Sequence, residues 1–268
     1  MSQNENILHA NGAEITSRIV RYVSDLRFED LTEAAIEQTR MFIADYFAAC
    51  FAGYRINVEL NDKVLQLMNR MGGCAESTVL FSGQKLPAGN AAFLNAVYAH
   101  GADMDDGNRK AAGHIGAHVM SAVFAVAETV RASWKDVFTA IVAGYEVFNR
   151  VAGAAQPGLY NKGFHSTGVG GAPACAAACA KLLGLDYDGI YNAVSLAAIQ
   201  SSGLIIIDES GQCCKPINPA NAARTGVISA QLAQLGLESS RNPLESRKGW
   251  FNAFSNAIDE EVFFEGLG

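Results

Sequence analysis

Apolar segments with the period of an amphipathic α-helix follow one another along almost the whole chain, and this succession limits the fold more than any other feature. Capping residues, glycine or proline bound most of these segments, as they bound helices in proteins. About nine such segments stand against one or two short stretches with strand character. Residues 77–81 are the clearer strand, and residues 204–207 are compatible with a strand or with a buried helix end. The pattern predicts an all-α fold with at most one or two short strands.

The ends of the predicted helices follow from local signals. Thr32 and Ser133 are capping hydroxyls that each precede a helical pattern. Asn218 followed by Pro219 predicts a helix start with Asn218 as the cap. Residues 158–171 are predicted to form a glycine-rich turn. The predicted helices cover residues 13–26, 32–51, 58–71, 90–98, 117–129, 137–151, 172–183, 188–203 and 218–235, with a short helical stretch at 250–257.

The length and composition predict one large domain. The chain has 268 residues, and half of them are hydrophobic, which is enough apolar material for a sizeable core. We expect a helical domain over residues 1–268. Within it, residues 1–12 are expected to form a loose polar arm, because they lack the apolar stretch of a signal peptide.

The charge and the cysteines argue against several kinds of partner. The formal net charge of −7 and the pI near 5.2 argue against nucleic acid, because phosphate binding needs a basic face. No apolar run reaches about 18 residues, so no membrane partner is expected. The six cysteines lack the spacing of a disulfide framework, which predicts free thiols and a cytoplasmic location. Cys175 and Cys179 are expected in the core.

The strongest functional signal is the charged segment from His100 to His118, which begins after the predicted helix 90–98 and ends in the first residues of the predicted helix 117–129. It brings three carboxylates, three imidazoles and two fixed cations together in a chain of which only 18% is charged. Side chains in such a segment can reach a cleft while rigid helix ends hold their backbones. Asp103 together with His100 is the leading candidate for a functional pair. The charged residues are His100, Asp103, Asp105, Asp106, Arg109, Lys110, His114 and His118.

Two further loops carry residues of complementary chemistry. His165 lies in the glycine-rich segment beside Ser166 and Thr167, and Lys215 lies three residues before Asn218. Lys215 and the free N–H groups of the helix that follows would direct positive charge at one spot, which suits a carboxylate or a phosphate. If the three loops converge, the lysine fixes an anionic substrate while aspartate and histidine transfer protons near neutral pH. The residues thus predict a pocket for a carboxylate substrate.

Each of these residues also has a simpler interpretation. A lysine in a loop is commonly solvated. His118, four residues after His114 on a predicted helix, fits a structural histidine better than a metal ligand. Asp105 and Asp106 are adjacent and diverge in direction, so at least one of them is expected to cap a helix or support a neighbour. The donors between His100 and Asp106 also suit Mg²⁺ or Zn²⁺, but they match no firm ligand spacing, so no metal is assigned.

Four sequence blocks resemble, in order, those of the MmgE/PrpD family. The run from His100 to Asp106, followed by His114 and Gly116, is similar to the family signature H-x-x-D-x-D-D … H-P-x-G. Residues 144–150, 163–168 and 215–226 resemble the next three blocks of the family, so the resemblance extends over nearly the whole chain.

The resemblance implies an enzyme for small di- or tricarboxylates that needs no organic cofactor and no metal. It also implies a large helical domain followed by a smaller α+β lid, an active site between the two, and a homodimer. Carried over by position, it assigns catalytic or binding roles to Asp103, His114, His165 and Lys215. Our candidates for substrate binding are the residues that accompany them in the loops, namely His100, Asp106, Arg109, Ser166 and Thr167.

Three departures from the family pattern bear on the expected activity. The chain ends at Gly268, about where the lid would begin, so we expect a helical domain without the lid or a separate lid-bearing partner chain. Gly107 stands where some members have threonine. Ile115 replaces the usual proline, in a loop that is slightly longer than in the decarboxylases of the family.

The expected function is that of a cofactor-independent lyase or isomerase, with dehydration of a 2-methylcitrate-like acid first and decarboxylation or epimerisation second. Lys215 and His165 would hold carboxylates. Asp103 or a histidine would remove a proton beside a carboxylate, and His114 would protonate the departing hydroxyl or the carbanion. Two alternatives stay open. One is a non-catalytic helical subunit that binds an acid or complements a lid-bearing chain, and the other is a lid-free enzyme for a bulkier substrate.

Overall fold

The architecture is helical throughout in the computed structural model, which describes residues 15–267. Thirteen α-helices and two short pairs of antiparallel strands make up the regular structure of these residues, which confirms the predicted all-α fold. The predicted loose arm at residues 1–12 lies outside the described part of the chain, and so do the first two residues of the helix predicted from residue 13.

Most helices follow one another through short connections, and a 3-10 turn at Phe28–Asp30 joins the first two. The helices are α1 (Ile15–Asp25), α2 (Glu33–Ile56), α3 (Val58–Met71), α4 (Ala88–His100), α5 (Gly116–Val130), α6 (Trp134–Ala154), α7 (Gly158–Asn161), α8 (Ser166–Leu182), α9 (Tyr187–Ala198), α10 (Ile207–Ser210), α11 (Ile217–Gln234), α12 (Trp250–Phe254) and α13 (Glu260–Phe264).

The strands are shorter than predicted and form two hairpins. In the first, β1 (Ser77–Thr78) pairs with β2 (Lys85–Leu86), so that only the first two residues of the predicted strand at 77–81 are extended. The second hairpin pairs β3 (Gly107–Asn108) with β4 (Gly113–His114). Residues 204–207, which were compatible with a strand or a helix end, form no strand. Leu204 makes an isolated bridge to Phe164, and Ile207 begins the short helix α10.

Two helix starts agree with the capping signals in the sequence. The hydroxyl of Thr32 accepts the backbone N–H of Ala35 at 3.1 Å at the start of α2. At the start of α6, the hydroxyl of Ser133 accepts the N–H of Asp136, whose carboxylate accepts the N–H of Ser133 in return. This reciprocal pair satisfies two backbone donors that a helix terminus would otherwise leave free.

The glycine-rich segment at 158–171 is helical except at residues 162–165, so its prediction as one continuous turn is wrong. It contains α7 and the first turns of α8. The glycines lower the local helix propensity, but they let α8 approach its neighbours closely. A Cβ atom on Gly171 would lie 2.8 Å from the ring of His118 and 2.9 Å from Ala222. Close packing between helices therefore decides the structure of this segment.

Helix α8 forms the centre of the described molecule. All of its residues except Lys181 are buried, including Cys175 and Cys179 as predicted. Helices α5, α6, α9 and α11 pack around it. Helix α4 is buried almost as completely and packs against α2, α5 and α11. The described helices pack their apolar residues against one another in one core. None of these helices is long and apolar enough to cross a bilayer.

Candidate active site

The charged segment folds back on itself as a hairpin. Strands β3 and β4 pair with Gly107 opposite His114, and Asn108 Oδ1 accepts the backbone N–H of Lys110 at 2.8 Å within the turn. Asparagine side chains commonly close turns in this way. The hairpin returns His114 to the C-terminal end of α4, where its ring centroid lies 4.9 Å from that of His100.

A buried carboxylate fixes both of these imidazoles. The Nδ1 atom of His100 lies 3.0 and 3.1 Å from the two oxygens of Asp105, and Nδ1 of His114 lies 2.9 Å from the backbone carbonyl of Asp105. Carboxylate and carbonyl oxygens accept hydrogen bonds, so both Nδ1 atoms donate and both Nε2 atoms carry a lone pair in the neutral rings. Asp105 thus holds the rings of His100 and His114 in place. This agrees with the expectation that at least one of the adjacent aspartates supports a neighbouring residue.

Asp103 and Lys215 form an ion pair beside these rings. The Nζ atom of Lys215 lies 2.9 and 3.0 Å from the two carboxylate oxygens, although 112 positions separate the residues. The Nε2 atoms of His100 and His114 each lie 3.7 Å from Asp103 Oδ1. Partial burial acts to raise the pKa of Asp103, but the hydrogen bond and charge of Lys215 outweigh it and hold the pKa below its ordinary value. Lys215 is therefore engaged with a carboxylate instead of being solvated.

His165 joins the cluster from the start of α8, with its ring centroid 5.8 Å from that of His100. Its Nδ1 atom lies 3.1 Å from the side-chain amide of Asn218, which also donates to the carbonyl of Leu204 at 3.0 Å. Because that carbonyl only accepts, the amide nitrogen faces both groups, and the neutral imidazole carries its proton on Nε2. Burial, reinforced by the neighbouring imidazoles and Lys215, lowers the pKa of His165 to about 3. The ring is therefore neutral near pH 7.

Helix α11 begins differently from the prediction. It starts at Ile217, and Asn218 does not cap it, because the Asn218 side chain binds His165 and Leu204. The backbone N–H groups of Ile217 and Asn218 donate to carbonyls of the preceding turn. The predicted cap is wrong, and this terminus has fewer free donors for an anion than the sequence indicated.

Helix α8 supplies a more open terminus. It begins at Ser166, directly after His165, and the N–H groups of Ser166 and Thr167 have no acceptor among the described residues. The partial positive charge of a helix N-terminus attracts anions. The positive end that the sequence assigned to α11 is therefore better developed at α8.

The clustered residues border a cavity of about 400 Å³. Asp103 is more than half exposed beside it, whereas His100 is fully buried behind His114. Lys215 links Asp103 to the cavity, because Lys215 lines the cavity and binds the Asp103 carboxylate. The predicted site residues on its wall are Arg109, His114, His165, Ser166 and Lys215.

Two predicted substrate-binding residues lie off this wall. The hydroxyl of Thr167 accepts the backbone N–H of His114 at 3.0 Å and so holds the hairpin against α8. The carboxylate of Asp106 accepts the N–H of Gly116 at 2.7 Å at the start of α5. Burial raises the pKa of Asp106 to about 6 despite this hydrogen bond. These contacts favour positioning roles for both residues over direct contact with a substrate.

Sequence reasoning missed several residues of the site. Tyr160, Ile205 and Asp208 line the cavity from α7, the loop between α9 and α10, and α10 itself. No local motif marks them, because they reach the cavity only through the packing of these short elements. Asn218 was visible in the sequence, but as a helix cap and not as the partner of His165.

A larger cavity, of about 580 Å³, lies between α2, α5 and the start of α6. Its wall includes the aromatic rings of Tyr46, Phe124 and Trp134, together with the ion pair of Lys85 and Glu128. None of the clustered imidazoles reaches this cavity. The smaller cavity is therefore the candidate active site, because it combines an anion-binding cation with bases that are held in place.

One group of described residues has the donors to hold a metal ion. Each of His100, Asp103, Asp105 and His114 offers a ligand atom, and these atoms all lie within 4.8 Å of one another. Three of the same side chains can transfer protons, because His100 and His114 carry lone pairs on Nε2 and Asp103 is an exposed carboxylate, paired with the ammonium group of Lys215.

Comparisons with known proteins give the same family as the sequence blocks. Residues 17–261 match the MmgE/PrpD N-terminal domain. The chain is 31% identical, over 95% of its length, to a cis-aconitate decarboxylase of Aspergillus terreus. It is 32% identical over 90% of its length to the cis-aconitate decarboxylase of Homo sapiens, and 28% identical over 92% to that of Mus musculus.

The matches differ in how much of each protein they include. The chain spans 54% of the Aspergillus terreus protein, 50% of the human protein and 51% of the mouse protein, which is about half the length of these relatives. The domain match, by contrast, includes all the helices that surround the candidate active site. The chain therefore belongs to the MmgE/PrpD family.

Proposed function

We propose that this chain is the helical part of a lyase that acts on a small polycarboxylic acid. The observation that carries the proposal is the meeting of Lys215, Asp103 and His114 beside one cavity, with His165 on the same wall. An ammonium group, an exposed carboxylate and imidazoles are the groups that carboxylate chemistry needs near neutral pH. The relatives named cis-aconitate decarboxylase support the same class of substrate.

Substrate carboxylates would bind at the positive side of the cavity. Lys215 supplies a fixed charge, and α8 supplies the backbone N–H groups of Ser166 and Thr167, which have no acceptor in residues 15–267. His165 is neutral, so it would contribute an Nε2–H hydrogen bond to a carboxylate and not a charge. Arg109, on the hairpin, is a further cation on the wall of the cavity.

Proton transfer would fall to His114 and Asp103. His114 is partly exposed on the cavity wall, and its Nε2 atom faces Asp103. A proton taken up at Nε2 would be stabilised by that carboxylate and then delivered to a carbon of the substrate. In a decarboxylation, the bond to one carboxyl group breaks, its electron pair remains on the carbon skeleton, carbon dioxide leaves, and the skeleton takes up this proton.

Decarboxylation of a cis-aconitate-like acid is our first candidate reaction, because several relatives carry that name. Dehydration of a 2-methylcitrate-like acid, which the sequence blocks placed first, is the second candidate, and epimerisation is the third. The same residues serve all three reactions, because each needs an anchored carboxylate and a proton transfer at a neighbouring carbon. We propose that none of them requires a cofactor.

The organisation of the protein also stays a proposal. We propose that residues 1–268 form one helical domain, that the domain works as a homodimer, and that a lid on a further segment or on a partner chain covers the cavity. A cytoplasmic location is proposed from the free cysteines. A chain that sediments at its monomer mass of 28.4 kDa at micromolar concentration would contradict the homodimer.

Turnover of candidate acids by the purified chain tests the function. We expect product from cis-aconitate or 2-methylcitrate by NMR, and a loss of kcat/KM on the order of 100-fold or more in Lys215→Ala and in His165→Ala. Lys248→Ala is the matched control, because Lys248 is exposed and lies outside the cavity. Wild-type rates in folded Lys215→Ala would contradict the proposed site.

A non-catalytic helical subunit is the alternative function, and Lys215 on the cavity wall is the residue on which its acid binding would depend. Such a subunit would bind the acid at Lys215 and leave the chemistry to a complete assembly. The distinguishing result is a rise in Tm when the polycarboxylic acid is added, without any turnover of that acid. This rise should disappear in Lys215→Ala.

A further inference from the structure

The atom that prompts this inference is Nε2 of His100. It is buried and has no hydrogen-bond partner among the described residues, while Nδ1 of the same ring is bound to Asp105. Buried polar atoms in proteins almost always have a partner. It lies 3.7 Å from Oδ1 of Asp103, which is too long for a hydrogen bond. This lone pair is therefore left unused on the side of Asp103, where a metal ion could bind it.

His114 presents a second lone pair beside the same carboxylate oxygen of Asp103. Its Nδ1 atom donates to the carbonyl of Asp105, and its Nε2 atom also lies 3.7 Å from Asp103 Oδ1. Metal-binding histidines typically have this arrangement, with the far ring nitrogen held by a carboxylate or a backbone carbonyl. Both rings are thus oriented by Asp105 as metal ligands are oriented.

The distances suit a small transition metal. In a tetrahedral zinc site with bonds of about 2.0–2.1 Å, neighbouring ligand atoms lie roughly 3.3 Å apart. The two separations of 3.7 Å exceed this value by a few tenths of an ångström, and all the ligand atoms of the group lie within 4.8 Å of one another. Two imidazoles and one carboxylate favour zinc, cobalt or nickel over magnesium or calcium, which prefer oxygen ligands.

The ammonium group of Lys215 already binds the carboxylate in this cluster, at 2.9 and 3.0 Å. A divalent ion bound to Asp103 would repel the ammonium and compete with it for the same oxygens. We propose that His100, His114 and Asp103 form a site for a divalent transition metal such as Zn²⁺, and that the metal and Lys215 compete for Asp103. Metal binding thereby displaces the cation that would anchor a substrate carboxylate.

This competition makes the site inhibitory. A bound metal removes the lone pair of His114 from proton transfer and takes Asp103 from Lys215. Inhibition rests on the proposed function, whereas metal binding does not. The two are measured separately, by calorimetry without substrate and by turnover, so the failure of one is distinguishable from the failure of the other.

Isothermal titration of the purified full chain with ZnCl₂ tests the site. The exposed thiols Cys74, Cys213 and Cys214 bind zinc on their own, so all variants carry serine at these three positions. We expect one zinc per chain in this background. His114→Ala and Asp103→Asn should weaken binding by at least the roughly 10–100-fold that follows the loss of a residue supporting a metal ligand.

Two further variants make the test specific. Lys215→Ala should bind zinc about tenfold more tightly, because it removes the competing cation from Asp103. A merely misfolded or adventitious binder would not gain affinity in this variant. His118→Leu is the histidine control, because His118 is not one of the four clustered donors, and it should bind as the background does. Unchanged zinc affinity in His114→Ala, or no gain in Lys215→Ala, would overturn the proposal.

Discussion

The chemistry of the site depends on how single residues are held. Asp105 is buried, and it receives the Nδ1 proton of His100 on its carboxylate and that of His114 on its backbone carbonyl. Asp103 has a φ of +51°, a left-handed conformation that aspartate tolerates better than most residues but that costs free energy outside glycine. Its carboxylate is thereby directed at Lys215. Asp105 therefore fixes the two imidazoles, and Asp103 places its negative charge beside Lys215.

Asp208 gives a residue-level prediction about substrate binding. Its side chain lines the cavity that contains Lys215 and His165, and a carboxylate there repels an anionic substrate. We expect Asp208→Asn to lower KM by roughly 2–5-fold with little change in kcat, because the repulsion between partly solvated charges is small. Glu209→Gln is the matched control, since Glu209 is the exposed neighbour outside the cavity wall. Steady-state kinetics with the preferred acid give both values, and equal KM in the two variants would contradict this role.

At the scale of elements, helix ends build the site. His100 ends α4, His165 immediately precedes α8, and Lys215 lies just before α11. These three helices pack against one another in the core, α8 on α11 and α11 on α4. A rigid core therefore fixes residues from three parts of the chain, while the β3–β4 hairpin adds His114 at the same place. Small residues in α8 make this packing possible.

Glycine substitutions test that packing. Gly171→Ala places a Cβ atom 2.8 Å from the ring of His118, and we expect a loss of about 1–3 kcal/mol in the free energy of unfolding. Gly89→Ala on α4 is the control, because the nearest atoms to its Cβ are side-chain carbons at 3.6 Å. Since alanine is the better helix former, Gly89→Ala should be neutral or stabilising by up to about 1 kcal/mol. Urea unfolding measures both, and a loss of stability in Gly89→Ala as large as in Gly171→Ala would argue against close packing as the cause.

At the scale of the whole molecule, burial sets the response to acid. Burial, with the charges of the neighbouring imidazoles, lowers the pKa of His118 and of His165 to about 3. Between that value and the pKa of an unfolded histidine, near 6.5, the unfolded chain binds protons that the folded chain does not. These two residues therefore make the protein less stable as the pH falls from about 6.5 toward 3. Asp106 acts in the opposite direction below about pH 6, because burial raises its pKa.

Replacing His118 isolates one part of this response. His118 is fully buried, and neither of its ring nitrogens has a hydrogen-bond partner among the described residues. We expect His118→Leu to reduce the slope of unfolding free energy against pH by one proton, about 1.4 kcal/mol per pH unit, between about pH 4.5 and 6. Met120→Leu, on the same helix, should change stability without changing this slope. Urea titrations across this pH range give the slopes, and an unchanged slope in His118→Leu would show that this imidazole does not titrate as described.

Local patterns were sufficient for the fold class and for much of the candidate site. The apolar period predicted the helices, and Thr32 and Ser133 predicted their caps, because a helix and its cap depend on residues within a few positions of one another. The blocks around His100 and Lys215 predicted the family, which the domain match over residues 17–261 confirms. The convergence of the three loops was predicted from their chemistry alone.

Long-range packing decided what those patterns left open. The sequence by itself determined that the chain is all-α and which charged residues are candidates. Only the tertiary structure decided that residues 166–171 are helical and that Asn218 binds His165 instead of capping α11. It also decided that Nε2 of His100 is buried with no partner in the described part of the chain. The physical reason is distance along the chain. Each of these outcomes depends on contacts between residues far apart in sequence, whose free energy exceeds the local preferences that a sequence pattern reports.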